Sequence, residues 1–114
     1  MSNTPTLDSV PGNWNLYVRM QSDPTTTVIY TATFTGSGQS PTSGQVTVTG
    51  TSTSTGTWNK KDIGSPADEN VTFQIPDPAE PGKELTFFGF MVGLAMGGTV
   101  NTTGGSWSAD KTSD

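Results

Sequence analysis

The chain contains no cysteine and no histidine among its 114 residues. Without cysteine there is no disulfide framework and no thiolate metal site. Without histidine the commonest general base and the commonest transition-metal ligand are both missing. Charge is sparse, with 5 Lys and Arg against 10 Asp and Glu, for a net charge of -5. An acidic surface repels nucleic-acid phosphates and anionic lipid, so neither nucleic acid nor a membrane is an expected partner. No run of about 18 apolar residues occurs, so no membrane-spanning helix is expected. The opening MSNTPTLDSVPG lacks the basic and apolar regions of a signal peptide. The expectation is a protein retained in a cell or particle, or a processed form; no compartment is assigned.

What is present points to strands. Thr, Ser and Gly make up roughly two-fifths of the chain, far above average usage. Thr favours strands, whereas Gly and Ser favour turns. Hydrophobic residues reach only 30% and aromatic residues 9%, so one modest core is expected, carried by few large side chains. The apolar residues recur in alternating blocks, which argues against a disordered low-complexity chain.

The most apolar stretch, LTFFGFMVGLAMGGTV from Leu85 to Val100, reads as a curved β-hairpin. With a period of two, Leu85, Phe87, Gly89 and Met91 share one face, and Met96, Gly98 and Val100 continue it after a turn at Gly93–Ala95. Gly89 and Gly98 fall where strands bend or pack closely. Before this hairpin, strands are predicted at Asn13–Met20, Thr27–Thr35, Gln45–Gly50, Thr55–Lys60 and Val71–Ile75, and an eighth follows at Ser106–Lys111. The breaker-rich segments Ser22–Thr26, Gly36–Gly44, Lys60–Asn70 and Pro76–Lys83 read as connections. Residues 1–12 read as a flexible arm, 13–111 as the folded domain and 112–114 as a frayed tail.

Eight strands with mostly short connections predict an all-β fold, an antiparallel up-and-down eight-stranded barrel, with a β-sandwich as the alternative. The inward positions carry Trp14, Leu16, Met20, Val28, Tyr30, Phe34, Trp58, Phe73, Phe87, Met91 and Trp107. Side chains of this size fill an eight-stranded lumen when packed to ordinary density.

Three tryptophans stand in similar settings, GNWN at Trp14, GTWN at Trp58 and GSWS at Trp107. Each either fills the core at a barrel end or walls a ligand. Tyr30 likewise either meets a ligand or finds a partner at the rim. The Gly12-x-Trp14 motif on the first strand, the strand order, and Lys111 late in the last strand resemble the lipocalin and avidin superfamily of small barrels, the calycins. In those families the first-strand Trp plugs one barrel end and a basic residue of the last strand packs over it. The resemblance therefore implies barrel closure by Trp14 and Lys111, with Lys in place of the usual Arg. It also implies a small apolar or amphipathic ligand at one barrel end, for which Trp14, Tyr30, Trp58 and Trp107 are the candidates. No polar ligand-reading residue carries over. Some lipocalin-like barrels inhibit metalloproteases through an N-terminal arm, a role open to residues 1–12.

Enzymatic chemistry is not expected. Asp62, Asp68, Glu69, Asp77, Glu80 and Glu84 lie in or beside polar loops, without the fixed spacing of paired catalytic carboxylates. A calcium site at Asp68–Asn70 lacks EF-hand spacing, and no activated Ser appears. Neither a metal nor a cofactor is predicted. Asn70-Val71-Thr72 and Asn101-Thr102-Thr103 match glycosylation acceptors only as any Thr-rich chain would.

The alternation that sends Phe87 and Met91 inward sends Phe88, Phe90 and Val92 outward. Elsewhere the outward positions read as polar, so this strip stands alone and marks a contact surface. The expected function is a structural or interaction module that self-associates or binds a protein partner through this wall. Barrels resembling avidin pair in that way. Alternatively, the arm folds back over the strip.

Overall fold

In the computed structural model, residues 9–19, 25–36, 42–50, 53–62, 69–77, 82–101 and 105–114 are described. Residues 1–8, Met20, Pro24, Asp68, Glu80 and Thr102–Thr103 lie outside the described residues, as do the side chains of Asp62, Glu69 and Asn101. The strands in chain order are β1 Gly12–Arg19, β2 Val28–Gly36, β3 Ser43–Thr49, β4 Thr53–Asp62, β5 Glu69–Pro76, β6 Glu84–Val92, β7 Ala95–Asn101 and β8 Gly105–Ser113. Each pairs antiparallel with its sequence neighbour, and β1 pairs with β8 to close the barrel. That closure excludes the sandwich and removes the two open edges. Among the described residues there is no helix, and hence none long and apolar enough to cross a membrane.

Alternation explains why these residues form strands. Along β1, Trp14, Leu16 and Val18 are buried while Asn15 and Tyr17 between them are partly exposed. β6 and β8 repeat the pattern over their full lengths. The hairpin between β6 and β7 turns on Gly93 and Leu94, and Gly93 takes a positive φ of 64° that a side chain resists.

Several boundaries differ from the sequence reading. Gly36, Ser43 and Gly44 belong to strands, because Gly36 pairs with Gly44 and draws the breaker-rich segment into the ladder. The tail is not frayed through Ser113. β8 runs that far, and a bulge at Thr112 lets Ser113 pair with Asn13. Val28 was read as inward but is 41% exposed. β2 begins three residues before its first partner in β3, Thr31 opposite Thr49, so Val28 overhangs the rim.

Six rings form one connected cluster in the interior. Phe34 meets Trp14, Trp58 and Phe73 edge to face, with centroids 6.3, 6.3 and 5.3 Å apart. Phe73 stacks on Phe87 at 4.4 Å, and both meet Trp107. Such geometries suit the ring quadrupole. Buried aliphatic side chains, among them Val18, Val48, Ile75, Leu85 and Val100, complete the core.

Close backbone approach makes room for the indoles. Gly89 pairs directly with Gly98, and a Cβ on Gly98 would overlap the Phe88 carbonyl. Trp107 lies across this pair and donates its Nε1–H to Phe88 O at 3.1 Å. The arrangement recurs four strands earlier. Trp58 lies against Gly44, which pairs with Gly36, and donates to Thr35 O at 2.8 Å. In both, the indole reaches the carbonyl just before the earlier glycine of the pair, so a large ring is buried with its donor satisfied.

Candidate functional site

The outer face of β6 is the first candidate. Phe88, Phe90 and Val92 point outward, 43%, 52% and 59% exposed, while Phe87, Gly89 and Met91 between them are buried. Their neighbours are small or polar. Phe90 lies between Asn70 and Gly97, Phe88 between Thr72 and Thr99, and Val92 beside Ala95. The two rings and the valine therefore stand above a low wall. With about 150–250 Å² per aromatic side chain, the strip exposes roughly 300 Å², the size of the largest patch on a typical monomer. It does not stand alone, as the sequence reading had it. Ile29 is 62% exposed on the outer face of β2, opposite Tyr17 of β1. Outward parity at Ile29 was legible, but the second strand was read as threonine on that face.

The second candidate is the barrel end at the terminus of β8. Trp14 and Lys111 are directly opposite in the β1–β8 register. Lys111 Nζ lies 5.9 Å from the Trp14 ring centroid, donates to Ser9 O at 3.0 Å and pairs with Asp114 Oδ1 at 3.0 Å. Trp14 Nε1–H donates to Val10 O at 2.9 Å, and Val10 is fully buried. The end of the N-terminal arm, Ser9–Val10, is thus tied into the plug. A buried ammonium needs partners of this kind, because leaving water costs several kcal/mol. Gly12, with φ 138°, allows the close fit: a Cβ there would sit 2.6 Å from Lys111 Cε.

At the opposite end the groups are fewer. Tyr30 is half-buried and packs over Gly50. Its phenol pKa is raised above the ordinary 10.0, first by burial and then by the negative charge of Asp77. Asp77 caps the β5–β6 connection, where its backbone N–H donates to Lys83 O at 2.8 Å. Ser54, missed in the sequence, is 8% exposed and points inward opposite Val48.

The four proposed ligand residues are therefore not gathered around one space. Trp14 belongs to the plug, Trp58 and Trp107 lie within the ring cluster with their N–H groups bonded to backbone, and Tyr30 sits at the far rim. Among the described residues no three Asp or Glu side chains come together as a metal site. Asn70, the first residue of one formal acceptor, lies beside Phe90 on the outer face. No family model, curated protein or solved structure matches this chain.

Proposed function

We propose that this protein is a non-catalytic barrel that acts as a structural or interaction module, with the outer strip of β6 as its contact surface. The supporting observation is the contrast between its two faces. Inside, the large side chains spend their area on one another, whereas Phe88, Phe90 and Val92 expose contiguous apolar area outside. A stable interface takes about 800 Å² from each partner. The strip supplies the apolar centre of such an area, and the Thr, Asn and Ala positions beside it supply the rim. A second copy of the chain is the first occupant, and a different protein the next.

Membership in the lipocalin and avidin-like superfamily belongs to the same proposal. It is supported by the up-and-down order, by Gly12-x-Trp14 on β1, and by Lys111 above that indole. A second reading, an amphipathic ligand at the rim opposite the plug, draws on Ser54. It is a buried hydroxyl on the inner face, directly opposite Val48.

Sedimentation of the wild type and of Phe88→Ser/Phe90→Ser tests the proposal. Self-association that is lost in the variant, with the barrel intact, supports the β6 surface. A wild type that stays monomeric and a variant that retains every captured protein partner would overturn it.

A further inference from the structure

We infer, resting on the contact surface proposed above, that the occupant of the β6 strip is a second copy of this chain. The two copies sit about a two-fold axis that runs along the strands between β7 and β8. The Phe88 and Phe90 rings of each enter a recess on the outer wall of the other.

From β6 round to β1 the wall has a ridge, a low floor and a recess. Two rows of the ladder cross it. One runs Phe90, Gly97, Ser108, Tyr17, and the other Phe88, Thr99, Ser106, Arg19. In each row β6 supplies a phenylalanine, β7 and β8 supply small residues, and β1 supplies a long one. The β6 rings are the ridge. Over the seam between β8 and β1 lies a recess of about 260 Å³, lined by Ser106, Ser108, Tyr17 and Arg19 together with Thr27 and Trp107. Ridge and recess therefore occupy the same two rows of one wall.

Symmetry makes this a self-fit. Most oligomers of a single chain close about a two-fold axis, across which a patch meets itself. An axis lying across the strands would set ridge against ridge. An axis along the strands exchanges left and right and keeps each row at its height. It carries Phe90 of one copy onto the Ser108–Tyr17 half of the other's recess, and Phe88 onto the Ser106–Arg19 half. The ridge stands about 12 Å from the seam, roughly two and a half strand spacings, which places the axis over the small residues. Barrel walls are convex and part on either side of the line where they touch. Gly97 and Ser108 let that line close, and the long side chains on its flanks fill the widening gap.

The recess suits a phenyl ring. A cavity of about 150 Å³ takes a benzene, and the Tyr17 ring gives an aromatic partner. The Arg19 stem continues that wall one row on, since arginine lays its methylenes on apolar surface whatever its head group meets. Aromatic anchors seated in pockets carry most of the energy of an interface. About 800 Å² from each copy makes a stable one, roughly one-eighth of the 6510 Å² surface, and four adjacent strands of eight offer that much.

The test is mass in solution by sedimentation of the whole chain, with the spectrum of each variant reporting the intact barrel. Phe88→Ser/Phe90→Ser removes the ridge and keeps the recess. Ser106→Gln/Ser108→Gln, at two exposed strand positions, fills the recess and keeps the ridge. The wild type is expected to dimerise, and each variant to weaken the dimer about tenfold or more. Mixed together, the variants are expected to form a heterodimer about tenfold tighter than either makes with itself, because one ridge then finds one open recess. If the Gln variant dimerises like the wild type while the Ser variant does not, or if the mixture stays monomeric, the recess is overturned and the β6 contact surface stands. A Ser variant that dimerises like the wild type overturns both. A wild type that is monomeric at millimolar concentration overturns the second copy and leaves the strip to a different protein.

Discussion

Replacing Lys111 by Met separates the charge of the barrel plug from its packing. The Lys111 side chain is fully buried, and its stem runs beside Gly12 and the Trp14 ring. Met retains most of that stem, so cavity formation is small. Three interactions described above disappear. The charge-assisted bond to the Ser9 carbonyl is the largest, at about 1.5–3 kcal/mol. The ion pair to Asp114, whose side chain is 53% exposed, adds about 1 kcal/mol or less after solvent screening. The cation over Trp14, at 5.9 Å, sits near the outer limit of such contacts and adds about 0.5 kcal/mol. Against these stands the relief of no longer burying an ammonium. The expected net loss is about 1–2 kcal/mol, or roughly 4–8 °C in Tm for a domain of this size. Lys111→Ala adds the missing stem and should lose about 2–4 kcal/mol. Urea denaturation of both variants, with Asp114→Asn as the half-exposed control, measures the terms separately. A Lys111→Met variant as stable as the wild type would refute the reasoning, because the buried charge would then return no more than its desolvation costs.

Other consequences follow from the interior. Gly98→Ala forces a Cβ into the Phe88 carbonyl and Gly89 and should cost about 2–4 kcal/mol by overpacking; thermal unfolding reads it. Trp58→Phe removes the bond to the Thr35 carbonyl and should cost about 1–3 kcal/mol, again by urea denaturation. Tyr30 should ionise above 10, its ordinary value, because burial and then Asp77 raise it. A phenol raised in the folded state contributes stability that is complete below the unfolded pKa and is lost as pH rises through the folded one. Ultraviolet titration should place the Tyr30 transition above the ordinary phenol value, and Tyr30→Phe should flatten the alkaline fall in stability.

Much of the fold was legible because period two survives in nearly every strand. NWNLYVR alternates without a break, and the same rule places Phe88 and Phe90 outside once Phe87 is inside. The paired glycines 89 and 98 were legible as a close approach, since no other residue type explains them within an apolar hairpin. Features set by stagger were not. Val28 and Phe34 share a face, but only the offset between β2 and β3 decides which lies under cover. Val10 and Ser9 sit in a polar, proline-flanked segment; Val10 is held by the Trp14 indole, and the place of Ser9 in the plug comes from Lys111, about a hundred positions away in the chain.

The central claim, that the β6 wall is a contact surface, is tested most directly at the two phenylalanine rings. A soluble paramagnetic agent attenuates the proton signals of rings that meet solvent. In dilute wild-type protein the Phe88 and Phe90 rings should be attenuated as strongly as the exposed side chains of Thr55 and Thr57 on β4. On raising the concentration, the two rings should become protected while the β4 residues stay attenuated. Rings equally attenuated at every concentration, in a protein whose mass nonetheless rises, would place the contact elsewhere and contradict the account.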